Sequence, residues 1–67
     1  MIKTLADAFP QEQARVRELL GVYKSLGPTG AFGAVMIEQA LRRADAAAAS
    51  GDVVAMLRSL EELKGCE

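Results

Sequence analysis

The stretch SLGPTGAFGAV, residues 25–35, contains three of the six glycines and one of the two prolines in the 67-residue chain. Gly27, Gly30 and Gly33 follow one another at intervals of three residues. A glycine-rich segment of this kind either cradles a phosphate group or lets one helix turn back onto another. Its role therefore bears both on the fold and on whether the chain is an enzyme.

The residues around these glycines do not fit a phosphate-binding loop. A Walker-type loop follows a strand and ends in Lys and then Ser or Thr, whereas two apolar residues follow Gly33. The G-x-G-x-x-G spacing of a dinucleotide-binding loop is absent from the segment as well. We therefore predict a turn, in which Gly27 ends one helix, Pro28 prevents its continuation and Thr29 caps the next helix.

Helical periodicity extends to both sides of this turn, because apolar residues recur at intervals of three and four. The first helix is predicted for residues 10–26, since proline suits the first helical position. The second is predicted for residues 30–49 and the third for residues 53–64. Gly51 and Asp52 would end one helix and cap the next.

The prediction is thus one all-α domain of residues 1–67, with three helices in helix–turn–helix–turn–helix order. Before the first helix, Thr4 and Asp7 have the spacing of a capping box and predict one short turn. Leu5 and Phe9 would then fold back onto the core. The helix faces predicted to point inward consist of Val16, Leu19, Leu20, Tyr23 and Leu26, then Phe32, Val35, Met36, Ile37, Ala40, Leu41, Ala44 and Ala48, and finally Val53, Val54, Leu57, Leu60 and Leu63.

The composition favours self-association. Hydrophobic residues make up 51% of a chain that is too short to enclose a large core. Cys66 is the only cysteine and histidine is absent, so neither an intrachain disulfide nor a structural zinc site is available. We therefore expect a homodimer, because homodimerisation is the commonest way to bury the remaining apolar surface. In it the small residues Gly30, Gly33 and Ala34 would allow close helix packing within the chain or across the dimer.

The sequence gives little support for a catalytic function. Without histidine the usual proton shuttle is missing, the acidic residues are scattered along the helices, and Cys66 has no candidate base nearby. We predict no catalytic residue, no cofactor and no metal ion. The net charge of −1 provides no general attraction for nucleic acid or anionic lipid, and Arg42 and Arg43 are the only basic pair that a DNA-binding helix would offer.

Protein binding remains as the leading hypothesis. Aromatic residues, Met and Arg dominate the energetics of many interfaces. The partner-binding candidates are Tyr23, Phe32, Met36, Arg42 and Arg43. A place in the core is the competing interpretation for Phe32 and Met36, and a solvated helix face is the competing interpretation for the two arginines.

Residues 23–67, YKSLGPTGAFGAVMIEQALRRADAAAASGDVVAMLRSLEELKGCE, resemble the small accessory proteins of temperate bacteriophages and prophages. Within them, ASGDVVAMLRSLEEL is similar to one helical hairpin of a tetratricopeptide-type repeat, without a second repeat. The phage class includes anti-CRISPR proteins, inhibitors of host nucleases or polymerases, and quorum-sensing anti-activators that also block pilus assembly ATPases. This resemblance implies action by stoichiometric binding to a host protein and assigns no residue a role.

The sequence thus predicts a phage-encoded interaction module that modulates, and by expectation inhibits, a host protein such as a transcription regulator. The alternatives are a small DNA-associated regulator and a self-assembling structural factor. A bacterial cytoplasmic location is expected, because the N-terminal residues lack the apolar region of a signal peptide and no apolar run approaches the roughly 20 residues of a membrane span.

Overall fold

The chain forms three α-helices joined by short turns in a computed structural model that describes residues 4–67. No strand occurs in this part of the chain, which confirms the predicted all-α class with three helices. Residues 1–3, which the predicted domain includes, lie outside the described residues. The elements are α1 (Leu5–Ser25), a 3₁₀ turn (Gly27–Gly30), α2 (Ala31–Ser50) and α3 (Val53–Lys64).

Helix α1 begins at Leu5, so the prediction of a start at Pro10 is wrong. Thr4 is the N-cap: its hydroxyl oxygen accepts a hydrogen bond of 3.3 Å from the amide of Asp7 and donates one of 3.0 Å to the Asp7 carboxylate. Pro10 lies inside the helix and leaves one intrahelical hydrogen bond unmade. The helix continues through it because the preceding turn is capped and because Phe9, only 2% exposed, is anchored in the core.

The turn between α1 and α2 is tighter than predicted. Gly27 has a φ of 65°, the left-handed conformation that glycine adopts without strain, and Pro28 begins the 3₁₀ turn. The prediction that Thr29 caps α2 is wrong, because the 3₁₀ turn moves the cap position to Gly30. Glycine has no side chain, so α2 begins without a side-chain cap.

The turn between α2 and α3 has the predicted form. Gly51 ends α2 with a φ of 72°, in the left-handed conformation common at helix C-termini. The carboxylate of Asp52 accepts hydrogen bonds from the amides of Val54 at 3.0 Å and Ala55 at 3.3 Å. These amides have no partner inside the helix, so Asp52 caps α3.

The three helices all contact one another and enclose a small core. Phe9, Leu63 and Val16 are its largest fully buried side chains. The core cluster is Phe9, Val16, Ile37, Ala40, Leu41, Ala44, Leu60 and Leu63.

The predicted inward face of α2 is wrong in its first two turns. Phe32, Val35 and Met36 are exposed to 79%, 53% and 49%, and Ala48 also lies outside. The helix is rotated so that Gly30 and its small neighbours face α1, where the backbones approach closely. A large side chain does not fit there, so the bulky residues of this segment lie on the opposite side. The buried residues of α2 are Ala34, Ile37, Ala40, Leu41, Ala44 and Ala47.

Two further parts of the predicted core lie at the surface. Leu26 is 53% exposed because it follows the last residue of α1, where the chain turns away. Val53, Val54 and Leu57 in the first turns of α3 are exposed to 57%, 57% and 49%. The last turn of α2, beside α3, consists of alanines and a serine. These small side chains cover little of the apolar surface at the start of α3.

Candidate functional site

Eight large hydrophobic side chains of the described residues are exposed, and six of them form two patches on single helices. The α2 patch consists of Phe32, Val35 and Met36, which are spaced three and four apart and so share one side of the helix. The α3 patch consists of Val53, Val54 and Leu57. Val22 and Leu26, at the end of α1, are the remaining two.

The α3 patch lies beside a groove between α1 and α3 with a volume of about 410 Å³. Leu57 belongs to the patch and also lines the groove, and the other apolar lining residues are Leu5, Ala8 and Leu60. Polar side chains at Thr4, Gln11, Glu12 and Lys64 complete the lining. An apolar centre with a polar rim is the arrangement found in protein interfaces.

The α2 patch continues into a hollow of about 140 Å³ on the same helix. Its lining residues are Val35, Glu38, Gln39 and Arg42. Arg42 donates a hydrogen bond of 2.8 Å to the carboxylate of Glu38, one helical turn earlier. Two of the residues that line the hollow therefore form an ion pair with each other.

Tyr23 is half-buried, and its ring and hydroxyl contact other residues of the same chain. Its ring lies over Gly33, where a Cβ atom would overlap the ring carbons. Its hydroxyl donates a hydrogen bond to the main-chain oxygen of Glu67, which ties the segment after α3 to α1. Beside this contact is a groove of about 390 Å³ whose lining includes Met36, Arg43 and Cys66.

Arg43 joins α2 to α3. It donates from Nε to the Glu62 carboxylate at 2.9 Å. This hydrogen bond, together with the negative charge of Glu62, raises the pKa of Arg43. Arg43 is therefore already matched to a carboxylate of its own chain.

The five predicted partner-binding residues do not form one site. Tyr23, Met36 and Arg43 line the groove next to the end of α3. Arg42 lines the hollow around Gln39, on another side of α2, and Phe32 lines neither. Of the five, Phe32 has the most exposed hydrophobic side chain.

The residues predicted for a dimer contact or for close helix packing lie between α1 and α2 of the same chain. A Cβ atom on Gly30 would overlap the main-chain carbonyl oxygen of Tyr23 and lie 3.0 Å from the Cβ of Leu26. Ala34 is buried in the same region, at 7% exposure. These small residues let α2 approach α1 closely.

Arg15 is a residue whose role the sequence reasoning missed. It donates to the carboxylate of Glu12 at 3.1 Å and to the main-chain carbonyls of Leu63 at 2.8 Å and Cys66 at 3.1 Å. Only the Glu12 contact, three residues away on the same helix, has a signal in the sequence. The other two bring together residues about 50 positions apart.

Cys66 is in a poor position for nucleophilic chemistry. Burial raises the pKa of its thiol, and the negative charge of Glu62 raises it further. The Sγ atom donates to the carbonyl oxygen of Glu62 at 3.6 Å. Because the thiolate is the nucleophilic form, this environment keeps the sulfur weakly reactive at neutral pH.

Within residues 4–67, no group of three potential ligand side chains is arranged to hold a metal ion. Over the same residues, none of the helices combines the length and the apolar character that crossing a membrane requires. Comparison of the chain with protein-family models, with curated proteins and with solved structures gives no match.

Proposed function

We propose that this chain is a small non-enzymatic interaction protein, encoded by a phage, that binds and inhibits a bacterial host protein such as a transcription regulator. In this proposal it acts in the host cytoplasm as a homodimer. The observation that carries the proposal is the exposure of large apolar side chains in two patches, at Phe32, Val35 and Met36 and at Val53, Val54 and Leu57.

Large apolar side chains that stay exposed to water forgo the favourable free energy of burial. Burying a Val, Leu, Met or Phe side chain gains about 1.5–3 kcal/mol relative to leaving it exposed. Within residues 4–67, eight large hydrophobic residues forgo this gain, while the core is filled partly with alanines. Contiguous apolar surface with a polar rim is a mark of interaction sites, which supports protein binding as the function.

The α3 patch is the surface proposed for the host protein. It adjoins the groove of about 410 Å³ that contains Leu57 and Leu60. A partner side chain seated in this groove would contact α1 and α3 together. Binding would thus be favoured only when the two helices are docked, as they are here through Arg15.

The chemistry of the described side chains supports a binding role over a catalytic one. Burial, and after it the negative charge of Glu62, raises the pKa of the Cys66 thiol, which disfavours the nucleophilic thiolate. Glu12, Glu38 and Glu62 each have an arginine partner, and these pairs lie at the surface.

Affinity capture with variants of the α3 patch tests the proposal. The tagged chain would be incubated with a bacterial lysate and the bound proteins identified and quantified by mass spectrometry. We expect one host protein at a constant ratio to the bait, and its loss with Val54→Ser combined with Leu57→Ser. The matched control is Glu18→Gln, an exposed polar change on α1 that should retain the protein. Recovery of the bait alone would contradict the proposal.

The DNA-associated alternative predicts a different result. Arg42 and Arg43, the basic pair on which it depends, are each paired to a carboxylate, which weakens their attraction for phosphate. A shift of duplex DNA that disappears with increasing salt, and with Arg42→Gln and Arg43→Gln together, would favour this alternative. Higher oligomers with no foreign protein would favour a structural assembly factor.

A further inference from the structure

We infer that a groove between α2 and α3 binds an acidic segment of the host protein, with a carboxylate of that segment held by Arg58 and Ser59. The groove has a volume of about 410 Å³, and both side chains line it from α3. This inference rests on the proposed function and deepens it, because it names the chemistry of the partner that covers the α3 patch.

The groove lies between the second half of α2 and the first half of α3. Its lining from α2 is at positions i, i+3, i+4 and i+7, from Arg43 to Ser50, which is about 10 Å along the helix axis. The apolar part of the lining is three alanines, Ala46, Ala47 and Ala55. Because alanine side chains let another backbone come close, the groove has room for about two turns of a partner helix.

Ser59 is a buried polar residue whose hydroxyl is not used within the chain. It is 8% exposed, and its hydroxyl forms no hydrogen bond with any residue of 4–67. In the same part of the chain no fully enclosed side-chain oxygen lacks a partner, so the hydroxyl of Ser59 opens into the groove that it lines. Buried hydroxyls are normally hydrogen-bonded, and an acceptor on an occupant of the groove would satisfy this one.

Arg58 supplies a positive charge without a partner. The four other arginines of the chain each form an ion pair with one of its carboxylates: Arg15, Arg17, Arg42 and Arg43. Arg58 forms none with the residues that the structure describes, and no carboxylate is among the side chains that line the groove. Its guanidinium is therefore available to an external carboxylate, which it can bind through two parallel hydrogen bonds.

The groove is continuous with the α3 patch. Val54 of the patch and Arg58 are four residues apart on α3, so they are neighbours on the helix surface. A partner that covers the patch thus reaches Arg58 with its adjoining residues. A segment that carries one Asp or Glu among small apolar side chains matches both the alanines of the groove and its single unpaired cation.

A polyanion such as nucleic acid fits this surface less well. Glu61 and Glu62 follow Arg58 by three and four residues, so they lie on the same side of α3, and the net charge of the chain is −1. Binding along a phosphate backbone uses several cations, whereas Arg58 is the one unpaired arginine of residues 4–67. The groove therefore favours a single carboxylate over a row of phosphates.

Peptide selection with a defined library tests the acidic specificity. The library would display random peptides of roughly 12 residues, a little over three helical turns. We expect the wild-type chain to select peptides with Asp or Glu among small apolar residues, and Arg58→Glu to select basic peptides instead. The matched control is Lys24→Glu, which reverses a cation at the end of α1 outside the groove and should keep the acidic preference. Peptides without acidic enrichment, or the same peptides with Arg58→Glu, would overturn the inference.

The affinity of one selected peptide measures the contact itself. Arg58→Gln should weaken binding at least about tenfold, because a charge-assisted pair is lost, and so should the amide form of the peptide's acidic residue. The two changes together should weaken binding little further, since both remove the same contact. Losses that multiply independently would show that Arg58 does not hold the carboxylate.

Ser59→Ala separates a binding role from a structural one. Peptide binding should weaken about threefold, because one hydrogen bond is lost. The thermal unfolding midpoint should stay the same or rise, because the hydroxyl has no partner within residues 4–67. A lower midpoint with unchanged peptide affinity would contradict the role assigned to Ser59.

Capture of the host protein separates this inference from the proposed function. A host protein that is lost with Val54→Ser and Leu57→Ser together, but retained with Arg58→Glu, would overturn this inference and leave the proposed function standing. Acidic peptides bound through Arg58, with no host protein captured, would support the groove as a site for acidic segments and contradict the proposed function. Duplex DNA bound through Arg58 in preference to the peptides would overturn this inference in favour of the DNA-associated alternative.

Discussion

The guanidinium of Arg15 donates a hydrogen bond of 2.8 Å to the main-chain carbonyl of Leu63, which links the middle of α1 to the end of α3. A second hydrogen bond of 3.1 Å reaches the carbonyl of Cys66. Carbonyls at a helix C-terminus have no donor inside the helix and carry partial negative charge. Arg15 therefore adds a cation and further donors, from another helix, to the end of α3, where the amide of Cys66 already donates to the Leu63 carbonyl at 3.0 Å.

Replacing Arg15 by alanine should lower the free energy of unfolding by about 1 kcal/mol, since one carbonyl partner is partly buried and the other hydrogen bonds are exposed. Urea unfolding measures this loss. Arg17→Ala is the matched control, because it removes an exposed ion pair with Asp45 and should cost less. Equal losses in the two variants would contradict the role assigned to Arg15.

Gly21 in α1 and Gly30 at the end of the 3₁₀ turn should respond differently to replacement by alanine. At Gly30 the new methyl group would overlap a main-chain oxygen that has little freedom to move, and overpacking of this kind costs about 1–3 kcal/mol. At Gly21 a new Cβ atom would meet nothing within 4 Å beyond its chain neighbours and the backbone of its own helix. The better helix propensity of alanine should therefore stabilise the chain by up to about 1 kcal/mol. Thermal unfolding of the two variants compares these effects. A Gly30→Ala variant as stable as the wild type would contradict the close approach of α2 to α1.

Asp52 and Thr29 precede helices but should differ in importance. Asp52 accepts two amide hydrogen bonds at the start of α3, and removal of such a cap costs about 1 kcal/mol. Thr29 makes no capping hydrogen bond to α2. Urea unfolding should therefore show a loss for Asp52→Ala and almost none for Thr29→Ala. A larger loss at Thr29 would restore the cap that the sequence predicted.

These two residues show how far the sequence determines the turns. The Gly51–Asp52 pair is an unambiguous signal, because a left-handed glycine followed by a capping aspartate leaves few alternatives. The segment around Pro28 is more ambiguous, since Gly27 and Gly30 both permit a turn and the 3₁₀ geometry depends on the fit of Gly30 against Tyr23. That fit is a tertiary contact, and local sequence does not encode it.

The sequence does not identify the exposed apolar surface of α2, because apolar residues are abundant on more than one face of this helix. Helical spacing selects Phe32, Val35 and Met36 as one face and Ile37, Leu41 and Ala44 as another. When half of the residues are hydrophobic, periodicity alone does not choose between such faces. The choice is made by Gly30, because a close helix approach needs the small residues inside. The residue type of Phe32 predicts a partner-binding role, but only the structure shows that its side chain is exposed.

The thiol of Cys66 should give a weak dependence of stability on pH at alkaline values. Burial raises its pKa in the folded chain, so folding favours the neutral thiol. This contribution is complete below the unfolded pKa of about 8.5 and is lost as the pH rises through the folded value. As the pH rises above about 8.5, the free energy of unfolding of the wild type should therefore fall relative to that of Cys66→Ser.

Alkylation of Cys66 provides an independent check of its environment. At a fixed pH, iodoacetamide should react more slowly with the folded chain than with the urea-unfolded chain, because the folded state contains less thiolate and partly covers the sulfur. Equal rates in the two states would show that burial does not affect this thiol.

The proposed homodimer would bury apolar surface that lies outside the core of the single chain, and we expect Phe32, which is 79% exposed, to lie in that contact. The most direct measurement is the thermal unfolding midpoint at protein concentrations that differ about 100-fold, because a dimer that dissociates on unfolding is stabilised by mass action. We expect a midpoint that rises with concentration for the wild type and stays constant for Phe32→Ala. A wild-type midpoint that is independent of concentration and equal to that of Phe32→Ala would show that no such dimer forms.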